Sequence, residues 1–402
     1  MENIWKSKSG LINVRCISNK IKIFININPR SQFLTVSCSV YKYYKIWRKS
    51  VENTKPVQKR QKSINSLTGL KVIAMLLLFW HHSTIPKLPV DIGARTCEFL
   101  FVVSGFLVGY NYYYTNRPAT WKESFRYAYS KVVKFWPLHF LSMLLVMVVK
   151  IRPIFTFPNL MTAILNISLL QAWSPYADVY FSYNGASWFL SALLFCYFMS
   201  LFLIQISKKV KKSIILFVIM FLIRYMIEYT ETLYPGQFLN LQIHTNPIVR
   251  CLEFFMGMLL VPLFIYIKEY IDGKEYRILF SILEIGVILN IIYLIYRYNG
   301  QWYRAEYVIL FCLVVILFAF DKGILSKFLS IKPFKWFSRF QFEFYILHQA
   351  IIICLVQIYS LYMPDWRVMN FCMFITIMVI AILYKEIFST KCSKILQKIV
   401  EH

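Results

Sequence analysis

Lys71 and His82 bracket an otherwise apolar run, Leu67 to His82. In an α-helix their eleven-residue separation is about three turns and ~16 Å of rise, so the two share a face and His81 turns away by roughly 100°. A cation near one end can hold phosphates, and a neutral imidazole further along can accept a proton at physiological pH. A snorkelling lysine and an interfacial histidine pair would leave the same pattern. Other ionisable residues set in apolar sequence are Glu98, Arg224, Glu228, Arg250, Glu253, Glu284, Glu343 and His348. Charged groups are expensive in lipid, so each is either functional or paired. Arg224 with Glu228 and Arg250 with Glu253 stand at helical i,i+4 and i,i+3 spacing, which predicts local ion pairs. Glu284 has no partner nearby in sequence.

The elements that must carry these residues follow from composition. The chain has 402 residues, 58% hydrophobic and only 16% charged, which excludes a soluble globule, a disordered chain and a small disulfide scaffold. Its nine cysteines form no C-x-x-C pair, and no carboxylate and histidine share ligand spacing on one helix, so no metal is expected. Apolar stretches recur at the length a bilayer demands, near 67–86, 97–115, 134–151, 186–207, 213–230, 247–267, 276–296, 304–320, 344–364 and 367–385. They do not alternate as barrel strands would, which predicts an all-α, polytopic membrane protein with about ten transmembrane helices. Net charge is +26, yet fourteen basic residues precede the first stretch and most others fill the breaks on one side. That is how membrane proteins carry positive charge, and it predicts both termini in the cytoplasm and no nucleic-acid partner. Residues 1–66 read as a basic extension attracted to anionic lipid, with Ile21 to Asn28 alternating like a strand and no signal-peptide cleavage pattern. Residues 67–388 form the membrane domain and 389–402 a basic cytoplasmic tail.

Four ordered blocks add a resemblance. Leu67-Thr-Gly-Leu-Lys71, followed after ten residues by His82, resembles the first helix of the acyltransferase family 3 membrane O-acyltransferases, in which the basic residue is normally Arg. Phe99-Leu-Phe-Val-Val-Ser104-Gly105-Phe106-Leu107 is similar to the second helix of that family. Lys131-Val-Val-Lys134-Phe-Trp-Pro137 resembles its third-helix start, and Asn184-Gly-Ala-Ser-Trp188-Phe-Leu-Ser191 the start of its fourth. Fainter likeness continues at Arg250-x-x-Glu253-Phe-x-x-Gly257 and Phe344-Tyr345-Ile-Leu-His348-Gln349, so the resemblance runs from about 66 to 388. Lysine replaces arginine at 71, 131 and 134, which substitutes a point charge for a planar fork.

The resemblance implies transfer of an acyl group, usually acetyl, from cytosolic acyl-CoA to a hydroxyl of a cell-surface, exported or lipid-linked glycan, in the cytoplasmic membrane. Acetyl-CoA would be a co-substrate, with no tightly bound cofactor. Lys71, Arg126, Lys131 and Lys134 would neutralise the CoA phosphates, and His82, with His81 in reserve, would deprotonate the acceptor hydroxyl. By the same resemblance Ser104, Asn184, Trp188, Ser191, Arg250, Glu253 and His348 would meet substrate. Ser104 as nucleophile is rejected, because a nucleophile elbow needs Gly-x-Ser-x-Gly on a strand-to-helix turn, and Val-Val-Ser-Gly-Phe instead suits close helix packing. A multi-pass transporter or glycan flippase would also use buried charges on such a frame, although no internal duplication is visible.

Overall fold

The computed structural model describes residues 63–87, 91–115, 119–132, 136–150, 156–234, 242–297, 305–362 and 365–389, with short pieces at 11–13, 24–26 and 35–36. The chain divides into two compact units, Arg60–Glu386 and the two ends, Met1–Lys59 with Ile387–His402. In the second of these, β1 (Leu11–Asn13), β2 (Phe24–Asn26) and β3 (Thr35–Val36) form a small antiparallel sheet in that order, Ile12 facing Ile25 and Ile25 facing Val36. The alternating stretch Ile21 to Asn28 contains β2.

Every regular element among the described residues of unit Arg60–Glu386 is a helix. Its main helices are α1 (Asn65–His82), α2 (Ile92–Tyr112), α3 (Trp121–Val132), α4 (Trp136–Lys150), α5 (Phe157–Ile167), α6 (Trp188–Ile206) and α7 (Val210–Leu233). Then come α8 (Pro247–Ile271), α9 (Arg277–Arg297), α10 (Glu306–Ala319), α11 (Ile324–Leu329), α12 (Lys332–Ser338), α13 (Gln341–Tyr362) and α14 (Trp366–Leu383). Each of the ten apolar stretches falls on a helix. Five helices among the described residues are long and apolar enough to cross a membrane, or seven if each of two bent pairs counts as one span. The shortfall from ten has a physical cause: α1 and α7 carry charged or polar residues inside their length, α10 is short, and α12 turns by 65° into α13.

The centre of the bundle is the crossing of α2 and α8, which are buried along most of their length. Small residues permit it. A side chain at Gly105 would overlap the Phe254 carbonyl, and one at Gly257 would overlap the Val102 carbonyl, so both backbones approach closer than any larger residue allows. Ser104 therefore sits in a packing seam, half-buried beside Gly105. The ends of these helices are fixed by side chains: Asp91 accepts from the Ala94 N–H at the start of α2, and Asn246 accepts from Ile248 and Val249 ahead of Pro247 at the start of α8. Glu284, without a sequence neighbour to pair with, reaches from α9 to α11 and accepts the backbone N–H groups of Leu325 and Ser326 at 3.0 and 3.1 Å. That is a helix cap supplied from another helix.

Candidate active site

The C-terminal end of α1 brings the imidazoles to their positions. Lys87 folds back to donate to the carbonyls of Trp80 (3.1 Å), Ser83 (2.6 Å) and His81, closing the helix end. His81 turns toward the start of α2, its Nδ1 3.7 Å from an Asp91 carboxylate oxygen and its ring against Gly93. His82 turns the other way. Its ring lies 5.2 Å from that of His348 on α13, at 49°, and 4.8 Å from His81. His82 therefore faces protein, and among the described residues it makes no hydrogen bond.

His348 is fully buried, and Phe344 stacks on it at 6°. Its Nδ1 lies 2.5 Å from the Tyr345 carbonyl. A carbonyl oxygen can only accept, so Nδ1 carries the hydrogen and, in the neutral ring, Nε2 holds a lone pair. That Nε2 is buried and has no hydrogen-bond partner among the described residues. A fourth imidazole, His244, comes from the segment before α8 and packs on Trp188 at 4.7 Å. Its burial, with Arg250 and Arg95 nearby, drives its pKa down to about 3, so it is neutral at physiological pH. His244 went unnoticed in the sequence because it stands in a polar loop.

Trp188 and Ser191 begin α6, but Ser191 is spent on structure. Its hydroxyl accepts the Ala172 N–H at 3.2 Å. Asn184 is likewise structural on one side, donating from Nδ2 to Ser142 Oγ (2.9 Å) and to the Ile346 carbonyl (2.8 Å), which ties the α6 start to α4 and α13. Its Oδ1 is buried without a partner among the described residues.

Arg250 and Glu253 belong to a charge network beside His244, with Arg250 donating to the carbonyl of the preceding residue, Ile243, at 2.9 Å. The local pairs expected from spacing are made, Arg224 to Glu228 at 2.9 Å and Arg250 to Glu253 at 2.9 Å, but they are not separate. Arg224 also bonds Glu253 at 3.2 Å, and Glu98 on α2 lies 3.6 Å from Arg224 and 3.7 Å from Arg250 while bonding Arg95 at 2.8 Å. The result is one buried network of three guanidiniums and three carboxylates joining α2, α7 and α8. The correction to the local reading is physical: each guanidinium has several donors and reaches more than one carboxylate. Arg95 was legible only as a charge outside the second stretch, because α2 starts five residues earlier than expected.

Of the four basic residues, Arg126 and Lys131 share α3 and Lys71 lies on α1. Lys71 is half-buried on α1. Arg126 on α3 bonds Glu123 at 2.6 Å, and Lys131 lies over the rings of Tyr127 and Tyr197 at 5.0 and 5.9 Å. Lys134 lies outside the described residues. No group of three or more His, Cys, Asp or Glu among the described residues is arranged to hold a metal ion.

The acyltransferase domain model of acyltransferase family 3 matches residues 64–386, nearly the whole helical unit. The chain belongs to acyltransferase family 3. This acyltransferase is thus a membrane protein of a family that acts on acyl groups, with His82 of α1 set against His348 of α13. No curated protein and no solved structure matches the chain.

Proposed function

We propose that this family 3 acyltransferase moves an acetyl group from cytosolic acetyl-CoA to a hydroxyl of a cell-surface or exported polysaccharide, or of its lipid-linked precursor. It does so in the cytoplasmic membrane, with ten crossings and both termini in the cytoplasm. The observation that carries the reading is the His82 ring, free of hydrogen bonds and turned into the protein against His348. His82 takes the proton of the acceptor hydroxyl as that oxygen adds to the thioester carbonyl carbon. The tetrahedral intermediate collapses, the C–S bond breaks, and the CoA thiolate leaves, taking the proton back from the imidazolium. His81, held near Asp91, supports the ring from the other side. Lys71, Lys131, Lys134 and Arg126 attract the CoA phosphates. Arg126 shares its charge with Glu123, so the lysines contribute the larger part of that attraction.

Mass spectrometry of surface glycans from cells with and without the gene tests this. The expected result is an acetyl ester increment on a sugar that disappears with the gene. Glycans of unchanged mass but altered export would instead support a transporter.

A further inference from the structure

The reaction proposed above gives no partner to the oxygen that turns negative when the thioester carbonyl is attacked, and it leaves His244 idle. The turn that carries His244 is fixed on both flanks. The Gln242 carbonyl accepts the N–H groups of Thr245 and Asn246 at 3.0 and 2.8 Å, and the Gln242 side chain accepts the Tyr180 hydroxyl at 3.3 Å. The Ile243 carbonyl accepts from Arg250 at 2.9 Å, and Asn246 caps α8. The ring itself meets aromatic neighbours, 4.7 Å from Trp188 at 54° and 6.4 Å from Phe181. Among the described residues neither of its nitrogens makes a hydrogen bond.

The junction that holds His244 also holds His82. The start of α6 is tied to α13 by the Tyr345 hydroxyl donating to the Ala186 carbonyl at 2.7 Å and by Asn184 donating to the Ile346 carbonyl at 2.8 Å. Two residues beyond Ala186, Trp188 meets the His244 ring; two residues beyond Ile346, His348 meets the His82 ring at 5.2 Å. His81, edge-on to His82 at 4.8 Å, is near enough to His244 to oppose a proton on it. His348 Nε2 and His139 Nδ1 are sealed in the protein, whereas the His82 and His244 residues each keep accessible surface.

A ring that takes a proton only near pH 3 is too weak a base to deprotonate a hydroxyl at physiological pH, so His244 does not duplicate His82. Neutral, it still carries one N–H, which it can donate without giving the proton up. The charges that oppose protonation, those of Arg250 and Arg95, favour negative charge in the same place.

We infer that His244 is a catalytic residue whose N–H donates to the thioester carbonyl oxygen and holds the oxyanion of the tetrahedral intermediate. The role rests on the acyl transfer proposed above. The acceptor oxygen bonds to the carbonyl carbon as its proton passes to His82, and the carbonyl electron pair moves to the oxygen that His244 holds. That pair returns to re-form the carbonyl as the C–S bond breaks and the thiolate takes the proton from His82. His244 keeps its own proton throughout.

The test follows label from acetyl-CoA in the purified full chain, with glycans extracted from cells lacking the gene as acceptor, and measures kcat and the KM for acetyl-CoA. His244→Phe keeps a ring against Trp188 and removes the N–H. Its kcat is expected to fall about 10²–10³-fold with KM unchanged, the range for loss of one oxyanion donor. His244→Gln carries an N–H again and is expected to recover about tenfold of that loss. His244→Leu takes the place of the Phe variant if thermal unfolding shows that variant misfolded. A donor-less variant within a few-fold of wild type, a raised KM at unchanged kcat, or equal losses with Phe and Gln each overturns the role and assigns the ring to packing on Trp188. Wild type that moves no label to glycan defeats the acetyl reaction and this role with it, whereas wild-type transfer that survives His244→Phe defeats the role alone.

Discussion

Two buried polar regions lie within the same helical unit and are built on opposite terms. The α2–α7–α8 network holds three arginines and three glutamates in ion pairs with one another. The region between α1, α4, α5 and α13 holds imidazoles and amides, several with one polar atom that lacks a hydrogen-bond partner among the described residues. Ion pairs that join three helices can fix those helices in register. An imidazole outside any ion pair is available to take up and return a proton. The buried arginines and their glutamates therefore pair across the frame, and His82 and His348 stand outside those ion pairs among the described residues.

The largest effect that would break this division belongs to the frame. Gly105→Leu is expected to give no folded protein, because the added side chain meets the Phe254 carbonyl on α8. Monodisperse wild-type-like material by size exclusion in detergent would show that the α2–α8 crossing is less close than described here. Next comes Arg224→Met, which strands buried carboxylates and is expected to cost about 3–5 kcal/mol of stability. Chemical denaturation should show the loss, and Arg224→Met with Glu253→Gln together should recover part of it. Glu284→Ala removes the acceptor for two N–H groups of α11 and is expected to cost about 1–3 kcal/mol, read by the same denaturation with transfer activity largely retained.

An effect that is absent at neutral pH sharpens the imidazole side of the comparison. His244 is held neutral down to about 3, whereas an unfolded histidine takes a proton near pH 6.5. Below that point the unfolded state binds a proton that the folded state refuses, so stability falls with acid by up to about 1.4 kcal/mol per pH unit. His244→Gln is expected to flatten the decline between pH 6.5 and 4 in a thermal-unfolding series. An unchanged slope would place the neutral ring elsewhere.

Much of the frame was legible before the structure. Apolar length located every long helix from α4 to α14, because a bilayer sets that length directly. Helix starts were less legible: α2 begins at Ile92 through the Asp91 cap, so Arg95 sits inside it, not outside. Periodicity gave the Arg224–Glu228 and Arg250–Glu253 pairs, but their union through Glu98 is a tertiary contact that no local spacing encodes. At the candidate site, His82 and His348 stood out as imidazoles in apolar runs. His244 did not, since it lacked an apolar setting. Its significance lies in what surrounds the ring, and only coordinates expose that.

The proposed acyl transfer depends on the imidazole region, and on His82 within it. Turnover of labelled acetyl-CoA with a glycan acceptor by purified His82→Ala, beside wild type of equal thermal stability, tests it most directly. A fall of about 10²–10⁴-fold is expected, the range for removal of a general base. Transfer within a few-fold of wild type would contradict it.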